Sequence, residues 1–185
     1  MTFRWIPNMI CAGRILLVAP IVVLLFAEAY PSAFALIVIA GLSDALDGLL
    51  ARKFSWRTDL GSLLDPAADK LLVASVFLTL TYMGIVPLGL TVVVLVRDGV
   101  IIAGALAYRL LIAKVHCSPT AISKLNTAAQ LTFVGFSVME AAFGWPDESS
   151  LVIMGAFVVF TSVTSGLSYA VRWSKPDWWK VYASQ

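Results

Sequence analysis

Six long apolar stretches follow one another along this 185-residue sequence, and they constrain its fold more than any other feature. Hydrophobic residues make up 60% of the chain and charged residues 13%, whereas soluble domains carry about 25% charged residues. Each stretch is close to the roughly 20 residues that a helix needs to cross a bilayer. We therefore predict an all-α integral membrane protein with six transmembrane helices. The stretches cover residues 15–30, 33–51, 61–85, 87–111, 120–143 and 151–173.

The charges outside these stretches predict an orientation. Glu28, Asp147 and Glu148 lie in connections on one side of a six-helix topology, and the basic residues collect on the other side. Because loops rich in lysine and arginine stay in the cytoplasm, we expect both termini and the 53–60 connection to face inward. The basic residues are Arg4, Arg14, Arg52, Lys53, Arg57, Arg109, Lys114, Lys124, Arg172, Lys175 and Lys180.

The chain is predicted to be a single membrane domain, residues 1–185. Residues 1–14 are too polar to span and are expected to form an interfacial segment. A six-helix bundle then covers residues 15–173, and a cytoplasmic tail covers 174–185 with tryptophans and lysines that suit a membrane surface. No small-residue cleavage site follows a short apolar core. We therefore expect neither a cleaved signal nor a targeting segment, and place the chain in a bacterial plasma membrane.

Acidic residues are concentrated between positions 43 and 70, which hold five of the eleven in the chain. An ionised side chain within a membrane span costs several kcal/mol unless it is paired or bound to a cation. On a helix, Asp44 and Asp47 lie about 60° apart, and Asp65 and Asp69, four residues apart, share a face of the next helix. If the two helices pack antiparallel, these faces meet, and the carboxylates repel one another unless divalent cations neutralise them. Oxygen ligands without histidine or cysteine predict Mg²⁺ or Mn²⁺, with room for two ions.

Two basic residues, Lys70 and Arg97, lie inside predicted spans. Lys70 follows Asp69, and it either balances the acidic cluster or contacts substrate. Arg97 precedes Asp98, and adjacent helical residues point about 100° apart, so we expect that the two do not simply neutralise each other. A guanidinium matches phosphate oxygens, which favours Arg97 as a phosphate ligand over a structural ion pair.

The fifth apolar stretch begins with a polar stripe. Lys124, Thr127 and Gln130 follow at intervals of three and are predicted to share one helical face. A polar helix end would explain Lys124 alone. Because the stripe continues into an apolar helix, we favour residues that line a cavity.

The acidic segment resembles the complete signature of a known protein family. It reads Asp44-Ala-Leu-Asp47-Gly48-Leu-Leu-Ala51-Arg52, eight residues, then Gly61-Ser-Leu-Leu-Asp65-Pro-Ala-Ala-Asp69. These fixed positions match the signature of the CDP-alcohol phosphotransferases. The resemblance implies a metal-dependent transfer from CDP-diacylglycerol at a homodimeric membrane enzyme. It assigns metal binding to Asp44, Asp47, Asp65 and Asp69, the general base to Asp69, and the CDP pocket to Gly48, Ala51, Arg52 and Gly61.

Resemblance outside the signature bears on the acceptor alcohol. The segments 6–9 and 122–130, with Arg14 and Arg97-Asp98, look like the CMP-forming cardiolipin synthases. Phosphatidylglycerolphosphate synthases typically show Gly-Lys-x-Lys-Thr in the fifth helix, where this chain has Ser123 and Asn126. Losing one lysine favours the monoanionic diester phosphatidylglycerol over the dianionic glycerol 3-phosphate.

We therefore predict transfer of a phosphatidyl group to phosphatidylglycerol, giving cardiolipin and CMP. Glycerol 3-phosphate as acceptor is the alternative. An intramembrane cation transporter is a remote one, since it explains the carboxylates but not the spaced glycines, and no internal repeat is seen. The lipid bilayer is an expected partner and nucleic acid is not. The predicted acceptor-binding residues are Arg97, Lys124, Asn126 and Thr127.

Overall fold

The computed structural model describes residues 6–54, 61–112 and 121–174, and these ranges fold into six α-helices. Each helix coincides with one of the six apolar stretches, so the all-α prediction is confirmed. The helices are α1 (Ile6–Phe26), α2 (Tyr30–Phe54), α3 (Gly61–Tyr82), α4 (Leu88–Ile112), α5 (Ala121–Phe143) and α6 (Glu148–Ser174).

The first helix begins earlier than predicted. Residues 6–14, expected to form a separate interfacial segment, continue directly into the apolar part of α1. Pro7 does not prevent this, because the first turn of a helix has no intrahelical partner for its N–H groups. An interfacial position for residues 1–14 stays a prediction.

The bundle has apolar side chains on its outside and polar side chains within. Leu16 is 74% exposed and Ile153 69%, whereas Arg97, Asp98 and Asn126 are buried. Soluble proteins seldom expose large apolar surfaces, so this distribution suits a bilayer. Within the described ranges, residues 148–169 of α6 form the one helical stretch that is long and apolar enough to cross a membrane. Shorter apolar helical stretches cover Ile15–Phe26, Tyr30–Ser43 and Lys70–Tyr82.

The helices pack in a closed ring in the order α1, α2, α5, α6, α4, α3. α3 and α5 also touch across the ring, where the rings of Phe77 and Phe133 stack with centroids 5.9 Å apart. Gly155 lets α6 approach both neighbours, because a Cβ there would lie 2.9 Å from Leu90 Cδ1 and 3.4 Å from Phe133 Cε2. α2 and α3, which carry the acidic signature, therefore share α1 and α5 as neighbours.

Candidate active site

The acidic signature lies on two consecutive helices. Asp44 and Asp47 are in the C-terminal half of α2, and Asp65 and Asp69 are in the first turns of α3. Residues 55–60 separate the end of α2 from the start of α3 along the chain. The side chains of residues 44–54 and 61–69 lie outside the described ones, so the roles given to them stay predictions. These include the CDP-pocket residues Gly48, Ala51, Arg52 and Gly61.

Among the described side chains, no group of three or more histidine, cysteine, aspartate or glutamate residues could hold a metal. The four predicted ligands are outside that set. Their chemistry still fits a hard divalent cation, since all four are carboxylates.

A charged cluster, which we call the Asp98 cluster, joins four helices and meets α3 just before its midpoint. It consists of Lys70, Arg97, Asp98, Ser123 and Ser165. Asp98 Oδ2 accepts a hydrogen bond from Lys70 Nζ at 2.8 Å, and Asp98 Oδ1 accepts one from Arg97 Nη1 at 2.6 Å. Arg97 Nη2 donates to Ser123 Oγ at 2.7 Å and to Ser165 Oγ at 2.6 Å. Lys70 is on α3, Arg97 and Asp98 on α4, Ser123 on α5 and Ser165 on α6.

The expectation that Arg97 and Asp98 do not neutralise each other is wrong. The two form an ion pair although they are adjacent on the helix. An arginine side chain is long enough to curve back around the helix to its neighbour's carboxylate. Arg97 is 5% exposed and Asp98 6%, and a buried charge without a partner would cost more than this bending. A phosphate-binding role for Arg97 stays a prediction.

The polar stripe on α5 differs from the predicted one. The buried polar residues are Ser123, Asn126 and Gln130, whereas Lys124 is exposed and Thr127 is half-buried. Steps of three residues rotate by about −60° each, so Lys124 and Gln130 end up about 120° apart. The i, i+3, i+7 spacing of the buried set stays on one face.

Asn126 and Gln130 place amides in the centre of the bundle. Asn126 Oδ1 accepts hydrogen bonds from Thr161 Oγ1 and Ser162 Oγ, each at 2.8 Å. Asn126 Nδ2 and both polar atoms of Gln130 are buried without a hydrogen-bond partner among the described residues. Sequence reasoning missed the hydroxyl partners on α6. Their close spacing in an otherwise apolar helix was the available signal.

An apolar groove of about 410 Å³ runs between α5 and α6 on the outside of the bundle. Lys124 is exposed one turn before Ala128, which lines the groove. A cation therefore lies on the helix face that continues into an apolar surface. The groove is lined by Leu125, Ala128, Ala129 and Thr132 of α5 and by Ile153, Met154 and Phe157 of α6.

Comparison with known proteins shows similarity over nearly the whole chain. The family model described as CDP-alcohol phosphatidyltransferase matches residues 4–165. Human cardiolipin synthase (CMP-forming) is 37% identical over 180 residues, which cover 89% of this chain and 60% of the human protein. A probable phosphatidylglycerophosphate synthase of Mycobacterium tuberculosis is 32% identical over 141 residues, with 76% and 65% covered.

A plant relative is similar over a comparable length. The CDP-diacylglycerol–glycerol-3-phosphate 3-phosphatidyltransferase 1, chloroplastic, of Oryza sativa subsp. japonica is 29% identical over 189 residues, covering 92% of this chain and 57% of the relative. The present chain thus spans about 60% of the length of the first curated relatives it matches.

Proposed function

This chain belongs to the CDP-alcohol phosphatidyltransferase family, and on that basis we propose that it makes cardiolipin in phospholipid biosynthesis. The reaction transfers a phosphatidyl group from CDP-diacylglycerol to phosphatidylglycerol and releases CMP. The observation that carries the proposal is the complete signature between Asp44 and Asp69, which falls on the C-terminal half of α2 and the first turns of α3. Similarity to human cardiolipin synthase supports the choice of acceptor.

In the proposed mechanism, Asp69 is the general base. It takes the proton of the acceptor hydroxyl as that oxygen attacks the phosphorus of the phosphatidyl group. The bond from that phosphorus to the oxygen of CMP breaks, and CMP leaves with the electron pair. Asp44, Asp47 and Asp65, together with Asp69, would hold Mg²⁺ or Mn²⁺. Such ions, when bound, offset the charge of a diphosphate.

The nucleotide half of the donor is assigned to the small residues of the signature. Gly48, Ala51 and Gly61 would let the cytidine diphosphate approach the helix backbone closely. Arg52 would supply a planar cation for its phosphate oxygens.

The outer surface of α5 supports a lipid acceptor. A phosphatidylglycerol molecule needs a cation for its phosphodiester and an apolar surface for its acyl chains. Lys124 is exposed, and the groove between α5 and α6 continues from its helix face. We therefore place the acceptor phosphodiester at Lys124 and Thr127 and one acyl chain in the groove. Glycerol 3-phosphate has no acyl chain that could occupy this groove.

Arg97 and Asn126 contribute to the acceptor site in another way. Both are buried and hydrogen-bonded to neighbouring helices. We propose that they hold α4, α5 and α6 in register and so shape the surface that Lys124 and Thr127 present.

Use of glycerol 3-phosphate is a second candidate, because this chain is also similar to proteins of rice and M. tuberculosis that are named for that chemistry. The cation-transporter alternative has no comparable support. The proposed topology has six spans, with both termini and the active site on the cytoplasmic side, supported by the one-sided basic residues. A bacterial plasma membrane and a homodimer stay predictions.

A product assay tests the proposal. Purified protein receives Mg²⁺ or Mn²⁺, labelled CDP-diacylglycerol, and either phosphatidylglycerol or glycerol 3-phosphate. We expect cardiolipin and CMP from phosphatidylglycerol, and no turnover by Asp69→Asn. Product from glycerol 3-phosphate alone would establish the second candidate, and no CMP with either acceptor would refute both.

A further inference from the structure

Asp98 occupies an unusual place in the bundle, and the proposed reaction assigns it no role. Among the residues whose side chains the structure describes, it is the one acidic residue that is buried. Each of its oxygens accepts a hydrogen bond from a different cation, Lys70 at 2.8 Å and Arg97 at 2.6 Å. Lys70 directly follows Asp69, the proposed general base.

We propose that Asp98 is a positioning residue, which holds Lys70 and thereby fixes the turn of α3 that carries Asp69. This inference rests on the proposed function, because it is defined by what Asp69 does there. Asp98 itself would touch neither substrate nor metal.

Stability alone does not account for the Asp98 cluster. Burying Arg97 and Asp98, with Lys70 partly buried beside them, carries a desolvation cost that the attraction between the charges roughly offsets. Apolar replacements of similar size are often as stable. A buried ion pair does, however, define a geometry, because few arrangements pair both charges. Arg97 keeps this pairing although its Nε has no partner among the described residues. The cluster is therefore better explained by the position that it imposes.

The cluster is anchored on the side away from α3. Arg97 holds one oxygen of Asp98 and also donates to Ser123 on α5 and Ser165 on α6. α4, α5 and α6 thus form a frame in which the carboxylate of Asp98 has a fixed position. Its second oxygen, which binds Lys70, is the point where this frame holds α3.

Because Asp69 and Lys70 share a peptide bond, a shift of Lys70 is transmitted to Asp69. A misplacement of about 1 Å at a reacting group can lower the rate about 100-fold. We expect Asp98→Asn, which removes the charge but keeps the shape, to lower kcat by about this factor while the KM for CDP-diacylglycerol stays within about threefold. Mn²⁺ affinity should fall as well, since Asp69 is also a proposed ligand.

The experiment is a double-mutant cycle on the full chain. Asp98→Asn, Lys70→Met and the double variant are compared in kcat, in KM and in Mn²⁺ affinity, measured by the paramagnetic resonance of free Mn²⁺. If Asp98 acts through Lys70, the double variant should be no slower than Lys70→Met alone. Asp98→Glu keeps the charge and should recover part of kcat. Thr91→Val, at a buried hydroxyl on the same helix, is the control and should leave all three quantities unchanged.

Two results would overturn the inference. One is a double variant in which the loss of kcat equals the product of the two single losses, because Asp98 and Lys70 would then act independently. The other is wild-type kcat and Mn²⁺ affinity in Lys70→Met. Lys70→Met leaves Asp98 paired with Arg97, so it keeps the test available if Asp98→Asn does not fold. Wild-type protein that binds Mn²⁺ but releases no CMP would contradict the proposed function, and Mn²⁺ affinity across the variants would still test the link between Asp98 and the signature.

Discussion

Replacing Arg97 by methionine tests whether the Asp98 cluster holds α4, α5 and α6 together. Methionine keeps most of the side-chain length but removes the charge and all hydrogen bonds. Asp98 would then keep only Lys70, and the hydroxyls of Ser123 and Ser165 would lose their shared donor. The change therefore combines a broken buried ion pair with two lost interhelical hydrogen bonds.

The magnitude follows from the separate contributions. Removing one partner of a buried pair costs about 3–5 kcal/mol, and the low end applies because Lys70 still neutralises Asp98. Interhelical hydrogen bonds in membrane proteins average about 0.6 kcal/mol each. We therefore expect Arg97→Met to lower the free energy of unfolding by about 4 kcal/mol and Ser165→Ala by about 0.6 kcal/mol. Arg97→Lys should fall between them, because one ammonium cannot reach all three partners as the guanidinium does.

The assay is reversible unfolding of the purified protein in mixed micelles, followed by circular dichroism. Thr91 is on the same helix as Arg97, and Thr91→Val is a matched control because it removes one partly buried hydrogen bond between α4 and Thr81 of α3. Its expected cost is that of a single neutral bond, about 0.6 kcal/mol. A cost below about 1 kcal/mol for Arg97→Met, typical of exposed pairs, would refute the view that this cluster is a buried tie between helices.

Three further predictions concern the acceptor groove, the metals and the start of α6. Ala128→Phe should raise the KM for phosphatidylglycerol several-fold and leave the KM for CDP-diacylglycerol unchanged. The same change at exposed Ala103 should affect neither KM. Equal effects of the two variants would refute the placement of an acyl chain in the groove. Asp44→Ala should shift the Mg²⁺ titration of activity to higher concentration, and an unchanged titration would remove Asp44 from the ligands. The hydrogen bond from the Ser150 hydroxyl lowers the pKa of Asp147 below its ordinary 3.8. The ionised Asp147 carboxylate therefore contributes its full stabilisation above pH 3.8, and this contribution is lost as pH falls through the lowered pKa. Asp147→Asn should remove this part of the pH dependence of unfolding, and an unchanged acid limb would show that the carboxylate does not stabilise the helix end.

The parts of the fold that follow from local pattern could be predicted from the sequence. Apolar length alone predicts the helices, and the structure has a helix at each of the six stretches. The polarity of residues 6–14 does not predict the extension of α1 to Ile6. Helix formation depends on backbone geometry, however, and Pro7 falls in the one turn that tolerates it.

Side-chain partners were harder to predict, because they depend on which helices are neighbours. On an isolated helix, the side chains of Arg97 and Asp98 diverge. In the bundle, Ser123, Ser165 and Lys70 approach from three other helices and make the paired conformation the favourable one. The close spacing of the α6 hydroxyls marks them as unusual in an apolar helix, but their pairing with Asn126 also depends on α6 packing against that side of α5.

The order of the helices explains how the two halves of the proposed site are connected. α2 and α3 carry the signature, α5 carries the acceptor surface, and α5 contacts both of them. α5 is in turn held by α6 through Asn126 and by α4 through Ser123. We therefore expect a polar residue buried on α5 to influence both the signature and the proposed acceptor surface. This predicts that Asn126→Leu, which breaks the bonds to Thr161 and Ser162, should alter the KM for phosphatidylglycerol and also lower kcat. A change in only one of them would mean that the two halves are positioned independently.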